Sequence, residues 1–216
     1  MEVKGYKIEP GANLYDADLT GENLTDANLS RADLRFAKLI GANLSGVDLS
    51  NSDLTGADLR GADLSRSNLS EANLFRAELP SAVLVAANMS NSNLTEADLD
   101  GANLSRADLS FANLTGAYVR CADFTRADLM DSKLLRAYLY QSVLNSANLT
   151  RANLNHANLR ESNLIEADLT GATMILADMT SADLTRANLT SSNTNGADLT
   201  HAYLNGTTMP DGSIHD

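Results

Sequence analysis

Ala12-Asn13-Leu14-Tyr15-Asp16 is followed at once by Ala17-Asp18-Leu19-Thr20-Gly21, and this five-residue phrase runs in one unbroken frame to Asp211. A leucine or a close substitute holds the third place in all 40 phrases, and in 33 of them it is Leu. A strict period over nearly the whole chain fixes the architecture before any other argument. Five is not a helical period, because the leucines would step about 140° beyond each full turn and form no apolar stripe. A plain strand alternates by two. Within each phrase, however, alternation is present. With the leucine as position i, position i−2 is Ala in 30 of 40 phrases and i−1 is Asp or Asn in 30. Small apolar, polar, large apolar reads as in, out, in: a three-residue strand. Positions i+1 and i+2 are mostly Ser, Thr, Gly, Arg, Asn and Glu, which read as a corner.

The number of corners per coil is also written in the sequence. At i+1, Ser30, Ser50, Ser70, Ser90 and Ser110 recur every 20 residues, continuing after Met130 as Thr150, Thr170 and Thr190. Gly21, Gly41, Gly61 and Gly101 keep the same beat. Twenty residues are four phrases, hence a four-sided coil. The Ala-(Asp/Asn)-Leu-X-X phrase resembles that of the pentapeptide repeat family over about nine-tenths of the chain. That resemblance implies an all-β fold, a right-handed quadrilateral parallel β-helix (a β-solenoid). About ten four-sided coils at ~4.8 Å make a rod roughly 48 Å long.

The inward column of leucines, with Met89, Met174, Met179, Met209, Val119, Phe124 and Thr194, forms the expected core. Phe124 and Val119 fall in the same coil, so a large and a small residue compensate within one layer. The expected organisation is a cap at 1–11, the β-helix at 12–211 and a short tail at 212–216. Val3, Tyr6 and Ile8 precede Pro10-Gly11 and would cover the first coil, whose edge otherwise stays unpaired. Glu22 stands at an inward site, where a lone buried carboxylate is costly. It is therefore placed near the open mouth, facing Lys4 or Lys7.

Little in the composition announces chemistry. His156 and His201 occupy i+2 corners and His215 the tail, and no two share a site. Cys121 is a single outward cysteine with no partner for a disulfide. Gly-rich phosphate loops, nucleophile motifs and calcium-binding repeat signatures are absent, so neither a cofactor nor a metal is expected, and the chain reads as non-enzymatic. No run of 18 apolar residues and no leader-like start occurs, which points to a bacterial-type cytoplasmic protein without a membrane partner. The formal charge of −12 argues against nucleic acid as a partner.

Off-pattern residues supply the candidate partner surface. Asp58, Glu78 and Asp98 stack at i−1 on one face, followed by Tyr118 and Tyr138, with Arg120 and Tyr140 beside them. Val83 and Val143 replace Asp/Asn on the next face. Phe75, Val85 and Leu135 add outward apolar groups. Arg106 and Arg126 stack at i+2 and are expected to pair with neighbouring acids. The principal functional expectation is a structural or protein-interaction scaffold with another protein as partner, including end-to-end or face-to-face self-association. The resemblance also implies an alternative: family members that mimic duplex DNA and occupy the DNA saddle of type II topoisomerases such as gyrase, as inhibitors or protectors. The sign of the charge fits, but 12 net charges over roughly 48 Å give one per about 4 Å, against one per about 1.7 Å for DNA. Those members also carry a dimerising C-terminal extension, and some carry loops that interrupt the helix; no interruption occurs here. An ice-binding face would need a wider threonine array than the hydroxyl column from Ser30 to Thr190, and a convex rod offers a hydrolase no cleft.

Overall fold

The computed structural model describes residues 1–216. Every phrase centre from Asn13 to Asn188 pairs in parallel with the residue 20 positions later, as in Asn13 with Asp33 and Asp33 with Asp53. Four phrases close each coil, and the chain is a right-handed quadrilateral parallel β-helix. Its four faces begin at Asn13, Asp18, Asn23 and Asn28. No helix is long and apolar enough to cross a membrane.

One phrase shows how the backbone is satisfied. The Leu14 N–H donates to the Asp33 carbonyl at 2.7 Å, and the Asp33 N–H returns to Ala12 at 2.9 Å. The Asp16 N–H reaches Arg35 in the next coil at 2.9 Å, and the Ala17 N–H closes the corner onto Leu14 at 3.1 Å. The corner is thus a four-residue turn, and its third residue has φ of +51° at Asp16. That is the type II arrangement. Every i+2 residue from Asp16 to Gly206 has positive φ. Most are not glycine, although each non-Gly residue held there costs on the order of 1 kcal/mol. The side chains of this column lean over the following coil. Phe36 lies across Gly56, where an added Cβ would sit 2.8 Å from the ring.

The Asp/Asn preference has a local cause. The Oδ1 atom at i−1 accepts the backbone N–H at i+1, as Asp18 does from Thr20 at 3.1 Å and Asn28 from Ser30 at 3.0 Å. This Asx turn satisfies the one corner N–H that the ladder leaves free. The exceptions are instructive. Glu78 and Thr208 precede Pro80 and Pro210, which have no N–H to satisfy. Tyr118 and Thr173 have no such acceptor, and the N–H groups of Arg120 and Ile175 are met one coil earlier by Asp100 and Asn155, both at 2.8 Å.

The leucines at position i from Leu14 to Leu189 are fully buried, and Phe124 and Val119 fill one layer between them. Seven i−2 positions are serine, and four of these (Ser52, Ser92, Ser142 and Ser162) donate their hydroxyl to the carbonyl three residues earlier at 2.6–2.7 Å. The buried hydroxyls of Ser67, Ser132 and Ser192 have no partner.

The two ends differ. Hairpin β1 (Glu2–Val3) with β2 (Tyr6–Lys7) lies over the first coil, and Ile8 is buried against it. Lys4 Nζ is 3.2 Å from Glu22 Oε1, so that carboxylate is paired at the mouth. At the other end, β3 (Thr207–Thr208) pairs antiparallel with β4 (Ile214–His215) and covers one side only. Leu199 and Leu204 are partly exposed, and their N–H groups lack the next coil that satisfies their counterparts.

Two outcomes follow for stability. Ser67→Ala and Ser132→Ala remove unsatisfied buried hydroxyls and should raise stability by about 1 kcal/mol each in chemical denaturation, whereas Ser52→Ala should gain nothing. Gly56→Ala combines a left-handed backbone with a clash against Phe36 and should cost roughly 1–3 kcal/mol in the same measurement.

Candidate functional site

Asp58, Glu78, Asp98, Tyr118 and Tyr138 lie in consecutive coils on the Asp18 face. The rings of Tyr118 and Tyr138 stack with centroids 4.9 Å apart and planes within 3°, yet stay 41% and 43% exposed. A parallel ladder brings identical side chains into that register without further effort. Arg120 extends from the adjoining corner, its guanidinium 5.9 Å from the Tyr118 ring. The same guanidinium forks onto Asp100, with Nε 2.8 Å from Oδ2, and this contact raises the arginine's already high pKa. Tyr140, at the same corner one coil on, donates its hydroxyl to Glu161 at 3.2 Å. Partial desolvation, then that hydrogen bond, push the phenol's pKa upward. Between them opens a groove of about 430 Å³ lined by Asp100, Gly101, Arg120, Cys121 and Tyr140. The tyrosine pair, Arg120 and Tyr140 therefore form one continuous patch around an edge of the rod.

The acidic run is less anionic than its sequence. Arg60 Nε bonds Asp58 at 2.8 Å and lies 3.6 Å from Glu78. The side-chain hydrogen bond from Arg60 holds the Asp58 carboxyl below the ordinary carboxylate range. Asp98 uses Oδ1 to accept the Asp100 N–H at 3.0 Å and has no cation within 4.0 Å. Of the three carboxylates, only Asp98 presents an uncompensated charge.

Val83 and Val143 share the Asn23 face but are separated by Asn103 and Asp123. The structure does not join them into one apolar patch. Val143 lies around the corner from Tyr138, while Val83 is remote from both tyrosines. Phe75, Val85 and Leu135 are half-buried. Arg106 and Arg126 form no ion pair, contrary to expectation. Ion pairs of the i+2 column join residues 20 apart, as in Arg76–Glu96, Arg151–Asp131 and Arg186–Glu166. The neighbours of Arg106 and Arg126 in that column are Ala86, each other, and Ser146.

A second aromatic cluster lies near the N-terminal end. Tyr15 and Phe36 meet edge to face at 5.8 Å, with Arg35 5.4 Å from the Tyr15 ring. Phe111 and Leu176 are also exposed at corners, 50% and 56%. Their signal in the sequence was an apolar residue at i+2. The hydroxyl column is internally engaged: Ser30, Ser70, Ser90, Thr150 and Thr190 bond the Asn two residues earlier. No group of three or more His, Cys, Asp or Glu side chains is arranged to hold a metal ion. Cys121 is exposed, its Sγ 3.7 Å from Gln141 Oε1.

A family model described as pentapeptide repeats matches in 8 copies, over residues 11–46, 42–80, 67–106, 107–145, 147–186 and 182–211. Among solved structures, HetL, a pentapeptide repeat protein involved in heterocyst differentiation regulation in the cyanobacterium Nostoc sp. strain PCC 7120, is 36% identical, with 95% of this chain and 92% of HetL covered at a TM-score of 0.44. Full-length QnrB1, a plasmid-mediated fluoroquinolone resistance protein, is 20% identical over 86% of this chain and 92% of its own, at a TM-score of 0.50. A pentapeptide repeat protein of the Arabidopsis thaliana thylakoid lumen is 31% identical over 55% of this chain and 72% of its own, at a TM-score of 0.37. No curated protein matches the chain significantly. With the family model matched from residue 11 to residue 211, the chain belongs to the pentapeptide repeat family.

Proposed function

We propose that the protein is a non-catalytic docking rod that holds a protein partner on the edge formed by Tyr118, Tyr138, Arg120 and Tyr140. The observation that carries this reading is the stacked tyrosine pair, whose rings remain 41% and 43% exposed on a face otherwise built mostly of small polar and charged residues. Tyrosine and arginine are the side chains that most often anchor protein interfaces. The stacking holds both rings in place, so binding costs little further side-chain entropy. Asp98 lies one coil away and offers a complementary contact for a basic residue of the partner. The rod itself contributes rigidity, because each coil is bonded to both its neighbours through the backbone ladder.

The topoisomerase-mimic alternative is supported by the net charge of −12 on a rod. It is weakened by the low linear charge density and by Arg60, which compensates Asp58 and Glu78. A gyrase supercoiling assay tests it, and an absence of inhibition at micromolar protein would remove it.

The docking reading is tested with Tyr118→Asn/Tyr138→Asn. Tyr138→Asn supplies an acceptor to the unbonded Tyr140 N–H, and the Arg120 N–H after Tyr118 is already met by Asp100, so the melting temperature should hold or rise. Recovery of the bound partner in a quantitative pull-down should fall about tenfold, a loss of roughly 1.4 kcal/mol in binding. Unchanged recovery with the fold intact would sink the proposal.

A further inference from the structure

On the Asn23 face the Asx rule fails without repair at Val83, Val143 and Tyr203. Val83 and Val143 stand where Asp or Asn belongs, and the N–H groups of Val85 and Asn145 make no hydrogen bond within the protein. Both residues line a single groove of about 470 Å³, together with Ser105, Arg106, Asp123, Thr125, Arg126 and Ser146. The hydroxyls of Ser105, Thr125 and Ser146 are not engaged by the protein. Thr125 differs in this from Thr55, Thr95 and Thr115, whose hydroxyls bond the preceding Asx side chain at 2.6 Å. Ile40, Leu135, Tyr140 and Asn205 also follow an i−1 residue without an Asx acceptor, but none of them lines a groove with two unpaired arginines.

Arg106 and Arg126 occupy successive coils of one corner column and have no carboxylate partner, in a chain with 28 acidic residues against 16 basic ones. Two like charges on adjacent coils repel each other. That repulsion is relieved when an anion is shared between them. At most other corners a side-chain oxygen accepts the corner N–H; at Val85 and Asn145 none does. Backbone N–H groups beside guanidinium groups make an oxyanion cradle.

The groove also contains acceptors. Asn145 Oδ1 is buried and has no hydrogen-bond partner. Asp123 uses Oδ1 to accept the Thr125 N–H at 2.8 Å, and its second oxygen makes no hydrogen bond or ion pair within the protein. Neither acceptor can be satisfied by a fully deprotonated anion. An oxyanion that retains one P–OH proton meets both needs: its charged oxygens face the arginines and the Asn145 N–H, and its hydroxyl donates to Asn145 or Asp123.

We propose that the end of this groove formed by Arg126, Asn145 and Ser146, with Arg106 one coil below, is a binding site for a phosphate group. It is independent of the protein-docking reading, since a small anion probes it without any partner. The donors are mostly solvent-facing, so affinity for a single phosphate should be millimolar.

The test is a titration of the isotope-labelled full chain, followed by backbone amide NMR at constant ionic strength. Inorganic phosphate should shift the Asn145 amide saturably, with Val85, three coils away, much less affected, and sulfate, which carries no proton, should bind at least about threefold more weakly. Phosphoserine distinguishes the sources. Binding comparable to inorganic phosphate identifies a phosphorylated side chain as the occupant, and markedly weaker binding identifies free phosphate; both support the site. Arg106→Ala/Arg126→Ala should weaken binding tenfold or more without altering the melting temperature. Val143→Asp should supply the missing acceptor to Asn145, abolish binding and raise the melting temperature. Equal responses to phosphate and sulfate, shifts spread over all arginine corners, or binding that survives the arginine substitutions would overturn the proposal.

Discussion

Closing a coil in 20 residues demands a sharp change of direction after every third strand residue, and one backbone conformation supplies it. The residue at i+2 is held in the left-handed region at each corner from Asp16 to Gly206. Its cost recurs at every non-glycine corner and is offset by what the corner permits: an uninterrupted leucine interior and a backbone ladder that satisfies each coil against the next. The fold is therefore stabilised by sums over identical units rather than by any single strong contact. The same constraint explains why bulky corner residues are tolerated. A side chain at i+2 leans along the rod, so Phe36 rests over Gly56 instead of pushing into the core.

The Asx acceptor is the second requirement, and the surface follows from it. An Asp or Asn at i−1 serves the corner N–H first and faces solvent second. Where another residue takes the place, the N–H is removed by proline, is met from the preceding coil, or is left open. Tyr118 and the Arg120–Asp100 pair show the second solution, and Val143 with Asn145 shows the third. Candidate binding positions on this rod are therefore the places where local backbone satisfaction has been given up or reassigned.

Much of this was legible in the residues. The leucine frame and the 20-residue beat of Ser30 to Thr190 yielded the coil, its four sides and the adjacency of Tyr118 and Tyr138, because register in a parallel ladder is arithmetic. The corner geometry was not legible, since residues such as Arg66, Phe111 and Glu161 occupy a conformation usually associated with glycine. Asp and Asn read as merely outward and polar, because alternation reveals direction but not hydrogen-bond partners. The compensation of Asp58 and Glu78 by Arg60 escaped for a similar reason: i+1 looked like turn filler, whereas its side chain lies back along the i−1 column. Arg106 and Arg126 were expected to find acids, but corner side chains reach only one coil up or down, and there they meet Ala86, each other and Ser146.

The four-sided register also governs how such a chain can change its length over evolutionary time. Gain or loss of 20 residues leaves every later side chain on its original face, because each residue still lies above the one 20 positions before it. Gain or loss of a single phrase keeps the core intact but rotates everything downstream by a quarter turn. Tyr138 would then stack on a different column, and Arg126 would leave Arg106. Surface columns are thus inherited in whole coils, and a one-phrase slip reshuffles them all while the interior registers no change.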